Sequence, residues 1–449
     1  MSVSTTHPEY AEAAPLWELV RLAAKGQQAV KDKRVKFLPM SNGMRQLDAD
    51  MQSDVYKAYL SRAEYPNWVQ DALRTATGLI SKQMPEVELP SAMQDMEQNA
   101  TDDGFSLKQM YSRTCNDVME TGRSCLLADI DESGKPYIAV YNAESLINWQ
   151  VTGINGRQDI TLLVLKEQRK KPDADRYSHE YDDVYRVLSL QDGYCVSELL
   201  DDKGQTLEEA VPYMTSSGKG LSYIPAVITG STDNSVDVDK IPLLTMAYAA
   251  VKYYQLSADY YQELHHTAHP QPYIIGMDED EVPRVASGIF AWLLPTDASC
   301  GYLEITGTGI TAKRTAMQDQ KNAALEAGAK VMDTSSQESG EARKARQNDQ
   351  YASLYSVVVT VAEGVEQVLK YIAELIGANQ DEVIFTVKPE FTSNVTDTAM
   401  LQQLINLATM GKVSDQTVWD YLQTGKIPER TYDDDVLLRT GITQADIPT

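Results

Sequence analysis

Ile241–Met277, IPLLTMAYAAVKYYQLSADYYQELHHTAHPQPYIIGM, is the stretch on which the reading of this chain turns. Pro242 suits the first turn of a helix, where a missing N–H leaves no bond unmade. Leu243, Met246, Ala247, Ala250, Tyr253, Tyr254, Ser257, Tyr260, Tyr261 and Leu264 then recur at three- and four-residue steps. Neither Gly nor Pro interrupts before Pro270. At 1.5 Å per residue the rod is on the order of 40 Å long, longer than most core helices. Its stripe mixes small residues (Ala247, Ala250, Ser257) with tyrosines. Small residues let another helix approach closely, and tyrosine keeps a polar end at a packed surface. Two readings follow: a helix buried within one subunit, or a helix that packs against copies of itself.

On the N-terminal side of this rod lies a β-rich region. SCLLADI, DESGKP and YIAVYN read as strand, turn, strand, and β-rich runs continue to YIPAVITG near Gly230. Residues 123–230 are therefore expected to form mostly antiparallel sheet, with STDNSVDVD as a polar linker into the rod. Before Arg123 the pattern is helical: PLWELVRLAAKGQQAVKD broken at Gly26, two helices parted near Pro66, and FSLKQMYSRTCNDVMETG ended by Gly122. Residues 1–14 read as a loose arm.

Beyond the rod, residues 268–309 read as an insert of strand, short helix and strand. A second helix follows, then polar TSSQESG, then a very long helix ended by Gly377. DEVIFTVKPEF reads as a strand. Two helices joined at Gly411, with Ser414 as N-cap, precede an acidic tail after Pro428 that is expected to be mobile. The fold class is α+β. If the helices flanking the insert are antiparallel, the insert sits at the far tip of a stalk.

Composition excludes several classes. The 449 residues, 43% hydrophobic and 23% charged, are ordinary for a folded soluble protein with two or three core-bearing units. No run reaches the roughly 18 apolar residues of a membrane span, and no secretory signal is expected. Cys115, Cys125, Cys195 and Cys300 are scattered, so reduced buried thiols are expected in place of disulfides or zinc. A net charge of −25 argues against a general nucleic-acid binder, though not against a protein that lets nucleic acid pass without gripping it.

Catalytic motifs are weak. His265, His266 and His269 have metal-ligand spacing but no fourth ligand. Asp278, Glu279, Asp280 and Glu281 lack the glycine and spacing of a calcium loop and suit a solvated helix start. SSGKG around Lys219 lacks the first glycine and the Ser or Thr of a phosphate loop. No metal, cofactor or catalytic residue is expected, and the chain reads as a structural or interaction protein. Basic residues slightly outnumber acidic ones between Ile310 and Gln350, in contrast with the rest of the chain.

The order of these segments resembles the portal proteins of tailed double-stranded DNA phages, most closely a portal-like family first catalogued without a known function. The resemblance runs from about Tyr56 to Ile427. It rests on YLSRAEYPNWVQDALRTATGLISKQMPEVELP, METGRSCLLADI, YIAVYNAESLINWQV, the Ile241 stretch with its Ser-Ala-Asp centre and His-rich end, Ser339 with Glu341 and Ala342, and MGKVSDQTVWDYLQTGKIPE. No one motif decides it; their order and spacing do.

The resemblance implies a ring-forming portal fold, usually of twelve subunits. It implies an N-terminal arm and wing (1–240), first stem helix (241–267), small α/β clip (268–309), second stem helix (310–332), tunnel loop (333–340), long helix with a wing strand (341–394), and a short crown and tail (395–449). A long helical barrel beyond the crown is not expected. Thr334, Ser335, Ser336, Gln337, Glu338 and Ser339 would form the constriction around passing double-stranded DNA. Lys313, Arg314, Arg343, Lys344 and Arg346 would meet that DNA or make salt bridges between subunits. Phe290, Trp292, Leu293 and Leu294 would be clip core, neighbour contacts or the docking surface for partners. Implied partners are other copies of the chain, the large terminase, a head-completion or tail adaptor, and the major capsid and scaffolding proteins, without a membrane. Implied location is the capsid vertex of the virion, after assembly in the bacterial host cytoplasm. Alternatives are another ring-forming head–tail adaptor, or a metal-dependent nuclease or hydrolase using the acidic run or the histidines.

Overall fold

A computed structural model describes residues 2–83, 85–131, 133–154, 157–171, 175, 177–268, 271–276, 278, 296–303, 307–328, 340–389, 398–424, 427–428 and 430–440. The chain divides into two units, Met1–Lys388 and Pro389–Thr449. The first opens with α1 (Pro8–Lys25), α2 (Gln27–Asp32), α3 (Asn42–Arg45), α4 (Ala49–Arg62), α5 (Trp68–Lys82), the short strand β1 (Glu86–Glu88) and α6 (Leu107–Thr121). The expected loose arm is instead helical from Pro8 and docked ahead of it. The His7 N–H donates to the Ile147 carbonyl at 2.8 Å. The His7 ring stacks on Trp149 with centroids 4.0 Å apart, and Val3 and Tyr10 pack against Ile147, Val164, Tyr185 and Val187. These contacts join residues well over a hundred positions apart, so no local pattern announces them.

The β-rich region forms two antiparallel sheets. Its strands are β2 (Arg123–Ile130), β3 (Pro136–Asn142), β4 (Leu146–Ile154), β5 (Arg157–Lys170), β6 (Tyr181–Gln191), β7 (Tyr194–Asp201), β8 (Thr206–Pro212) and β9 (Ala226–Gly230). One sheet has the order β3-β2-β9; the other is the meander β4-β5-β6-β7-β8. In β2, Cys125, Leu126, Leu127 and Ala128 are all buried, as in a strand covered on both faces. Cys115, Cys125 and Cys195 are buried and burial pushes each thiol up to about 12, whereas Cys300 is exposed.

The rest of this unit comprises α7 (Leu244–Ala268), β10 (Gln271–Ile275), β11 (Ser299–Leu303), α8 (Thr308–Glu326), α9 (Gly340–Ile376) and β12 (Ile384–Thr386). α9 lies against α6, β2, β9 and β12. Val357, Val358, Val361, Val365, Val368, Leu369 and Ile372 form its buried stripe. Gly364 sits on this face: a Cβ there would come within 2.2 Å of Thr229 Cγ2 on β9. β12 pairs with β1, Val87 opposite Phe385. β1 was not expected, because three residues carry no pattern and their partner lies some 300 positions away.

The Gly-Arg pair before β2 joins the sheets to the linker ahead of α7. Gly122 has φ +81°, and a Cβ there would lie 2.7 Å from the Lys240 carbonyl oxygen. Arg123 is fully buried, its guanidinium 4.3 Å from the Trp149 ring centroid and donating from Nη2 to the Val236 carbonyl at 3.0 Å. Burial pulls its pKa down to about 10, still charged at neutral pH. A second arginine, Arg21 on α1, faces three carboxylates. It pairs with Asp117, with Glu120 at 3.1 Å and with Glu144 at 2.9 Å. Burial pushes the Asp117 carboxyl up to about 7; Arg21 opposes the shift, and Glu144 and Glu120 add to it.

The second unit holds α10 (Thr398–Thr409), α11 (Asp415–Thr424) and α12 (Tyr432–Thr440). The tail expected to be mobile is therefore helical over Tyr432–Thr440. Its Asp435 carboxylate accepts from Ser414 Oγ at 2.6 Å and Thr417 Oγ1 at 2.8 Å, fastening α12 to the start of α11.

Two outcomes follow. Gly364→Ala removes a helix-propensity penalty of roughly 1 kcal/mol but forces a methyl onto Thr229, so a net loss of about 1–3 kcal/mol is expected in urea denaturation. Adding Thr229→Ala should restore part of it. For Asp117 the folded pKa exceeds the ordinary value, so the folded state holds the extra proton. Its contribution to stability is complete below about pH 4 and is lost as pH rises to about 7. Relative to wild type, Asp117→Asn should gain in urea midpoint between pH 5 and pH 8; a constant difference would contradict this.

Candidate functional site

The first half of α7 is buried within this chain. Met246, Ala247, Ala249, Ala250, Tyr254, Ser257 and Ala258 are buried, and the helix packs against α1, α4 and α5. The small residues of its stripe thus admit helices of the same subunit. From Asp259 onward no described residue of α7 is buried, and the helix runs alongside α8.

The Ser-Ala-Asp centre marks the change between these halves. Ser257 Oγ accepts from the Glu64 N–H at 2.9 Å and lies 2.9 Å from the Glu64 carbonyl and 2.7 Å from the Tyr254 carbonyl. Tyr59 donates to Asp259 Oδ1 at 2.6 Å. Burial, then Asp259, holds the Tyr59 hydroxyl far above its usual range, so it remains the donor. Arg62 donates to Gln262 at 3.0 Å and Tyr261 to Glu64 Oε2 at 2.9 Å. The C-terminal end of α4 and the turn after it therefore grip one turn and a half of α7.

Beyond this grip the two helices are antiparallel. The start of α8 lies beside the end of α7: Lys313 Nζ reaches Glu263 at 2.6 Å, and a Cβ on Gly309 would lie 3.0 Å from both Glu263 carboxylate oxygens. β10 and β11 continue the antiparallel path, Gln271 opposite Leu303 and Ile275 opposite Ser299. Helix, strand, strand and helix thus form one hairpin with the strands at its outer end. Met317 and Ala324 are the buried residues of α8; Arg314 is exposed.

The expected site residues divide accordingly. Lys313 is committed to Glu263 of its own chain, and Arg314 is open to solvent. Arg343, Lys344 and Arg346 belong to the backbone of α9, with their side chains outside the described residues. Thr334, Ser335, Ser336, Gln337, Glu338 and Ser339 lie outside the described residues, as do Phe290, Trp292, Leu293 and Leu294. His269 and Glu279–Glu281 also fall outside them. His266 Nε2 lies 2.7 Å from Gln262 Nε2, and the rings of His265 and His266 are 5.8 Å apart. Among the described residues no three His, Cys, Asp or Glu side chains are placed to hold a metal ion. The SSGKG turn closes on itself, the Lys219 N–H donating to Thr215 Oγ1 at 3.2 Å. Glu263 is the residue that sequence reading overlooked. An acidic residue near a helix C-terminus opposes the helix dipole and so invites a cation, which was the available signal.

Residues 242–376 match the profile of a family described as "Domain of unknown function (DUF4055)". No curated protein matches the chain. Among solved structures, a chain of the "Virion of native gene transfer agent (GTA) particle" is similar at 12% identity and a TM-score of 0.43, over 86% of this chain and 93% of that one. A chain of the "Neck of native GTA particle computed with C12 symmetry" is similar at 13% identity and a TM-score of 0.39, over 80% and 90%.

Ser257→Ala removes a buried hydroxyl that accepts from the Glu64 N–H in a part-buried bond. A loss of about 0.5–1.5 kcal/mol is expected by chemical denaturation, as for a typical intramolecular hydrogen bond. Ser257→Thr keeps the hydroxyl, so its loss would separate crowding by the added methyl from loss of the bond.

Proposed function

We propose that this chain is the subunit of a phage portal, a ring at one capsid vertex through which double-stranded DNA is packaged and ejected. The observation that carries the reading is the antiparallel α7–α8 hairpin with β10 and β11 at its outer end. It stands between the sheet region and the long helix α9, in the order that the portal resemblance requires. On this reading α7 and α8 are the stem, residues 268–309 the clip, residues 333–340 the tunnel loop, and the helices after residue 394 a short crown.

The mechanism is then physical, and the chain is not an enzyme. A head-to-tail ring of about twelve subunits encloses the channel. Its net charge of −25 per subunit keeps phosphate contacts weak, so DNA slides without being held. Thr334–Ser339 supply a polar constriction. Arg314, Arg343, Lys344 and Arg346 meet DNA or a neighbouring subunit. Phe290, Trp292, Leu293 and Leu294 belong to the surface that takes the terminase first and the tail adaptor later. ATP hydrolysis resides in the terminase.

Native mass spectrometry with negative-stain imaging of the purified full chain tests this. Closed rings of about twelve subunits with a central hole are expected, alone or once capsid and scaffolding proteins are added. A chain that stays monomeric with those proteins present would sink the proposal. So would divalent-metal-dependent DNA cleavage that is lost in Asp278→Ala/Asp280→Ala.

A further inference from the structure

The five-stranded sheet ends at β8. β8 pairs with β7 along one side, and no other described strand joins it. All seven of its residues are exposed, Leu207 at 45% and Val211 at 62%. A free strand edge is a template for an added strand, and neighbouring pockets select the side chains that strand carries.

Such a pocket opens beside β8. It is a cavity of about 270 Å³ with Leu199, Val211, Met214 and Leu375 among its apolar walls. The charged residues that line it are four acids, Asp129, Glu198, Glu208 and Glu209, against one base, Arg186. The Arg186 guanidinium is already engaged, Nε donating to Glu167 at 2.7 Å and Nη1 lying 3.6 Å from Asp129. Glu208 shares a loose contact of 3.5 Å with Arg169, both side chains 59% exposed, which contributes little. Among the described residues Glu198 and Glu209 enter no ion pair. The Tyr213 hydroxyl, on the same lining, is buried without a hydrogen-bond partner. The cavity thus offers apolar walls for an alkyl stem, in acidic surroundings that favour a cationic head.

We propose that β8 and this cavity together bind an extended segment of another polypeptide that carries lysine or arginine, the segment adding as a strand and one basic side chain entering the cavity. Charge complementarity selects this occupant. A second β8 from a copy of this acidic chain would bring Glu208 and Glu209 against their own kind, which like-charge repulsion across strands disfavours. A basic strand converts the same glutamates into attraction. The inference does not depend on the connector reading.

The test uses the full-length protein and a fluorescein-labelled heptapeptide of alternating valine and lysine, followed by anisotropy at an ionic strength of about 0.15 M. Saturable binding is expected. It should weaken about tenfold in Glu198→Gln/Glu209→Gln, a pair of exchanges that removes charge and little else. It should vanish for the same peptide N-methylated at alternate residues, which cannot complete a strand ladder. Any of three results overturns the proposal. These are no binding to wild type, equal binding by the double variant, or equal binding of the N-methylated peptide, which would leave only general attraction to an acidic protein.

Discussion

The 25-residue helix α7 runs past the core it is rooted in, and that overhang governs the rest of this structure. Through Ala258, α7 is a core helix, packed by α1, α4 and α5. Beyond Asp259 none of its described residues is buried, and α8 runs alongside it. A lone helix end in water is marginal, since helices in proteins draw most of their stability from a packed face. The overhang therefore needs α8, and a return helix needs a turn, which residues beyond Ala268 provide through β10 and β11. The hairpin is a consequence of one helix being too long for its core.

Much of this was legible because it is local. The three- and four-residue periodicity of α7, the β-rich character of residues 123–230 and the stop at Gly122 are read from neighbours in sequence. The antiparallel course of α7 and α8 entered that reading only as a condition, under which the insert lies at the tip of a stalk. What stayed hidden is non-local. The segment before Pro8 reads as loose because its polar residues hide the burial of Val3 against Ile147 and the stacking of His7 on Trp149. The acidic run Asp433–Asp435 reads as solvated tail because its partners, Ser414 and Thr417, precede it by some twenty residues. The site itself was legible only as an order of segments. Lys313 could be seen as basic, but not that Glu263, fifty positions earlier, would claim it.

An acidic chain must also decide which charges it buries. Arg21 and Arg123 of the first unit lie where helices or strands converge, and they differ in company. Arg21 gathers Asp117, Glu120 and Glu144, a single cation that offsets only part of the burial of Asp117. Arg123 has an aromatic face and a carbonyl in place of a paired carboxylate. A buried cation held this way is expensive to uncover, because removing its supports would leave the charge without compensation. Through the Trp149 ring and the Val236 carbonyl it fixes β2, β4 and the linker in one arrangement.

That firmness matters because the hairpin is a lever. The six residues of α7 beyond Gln262 extend about 9 Å, and the five-residue strands add about 16 Å. An angular error of about 5° at the root would displace the far end by between 2 and 3 Å over that length. This is enough to unmake any hydrogen-bonded contact at the tip. Control at the root is therefore worth more than contacts farther out. The root is where the bonds are dense: Ser257 on the Glu64 backbone, Tyr59 on Asp259, Arg62 on Gln262, and Gly122 closed against the Lys240 carbonyl just before α7 begins. Two segments, Gly122-Arg123 and Ser257-Ala258-Asp259, are the two ends of that anchorage. One fixes the chain as it enters the long helix, and the other fixes the helix as it leaves the core.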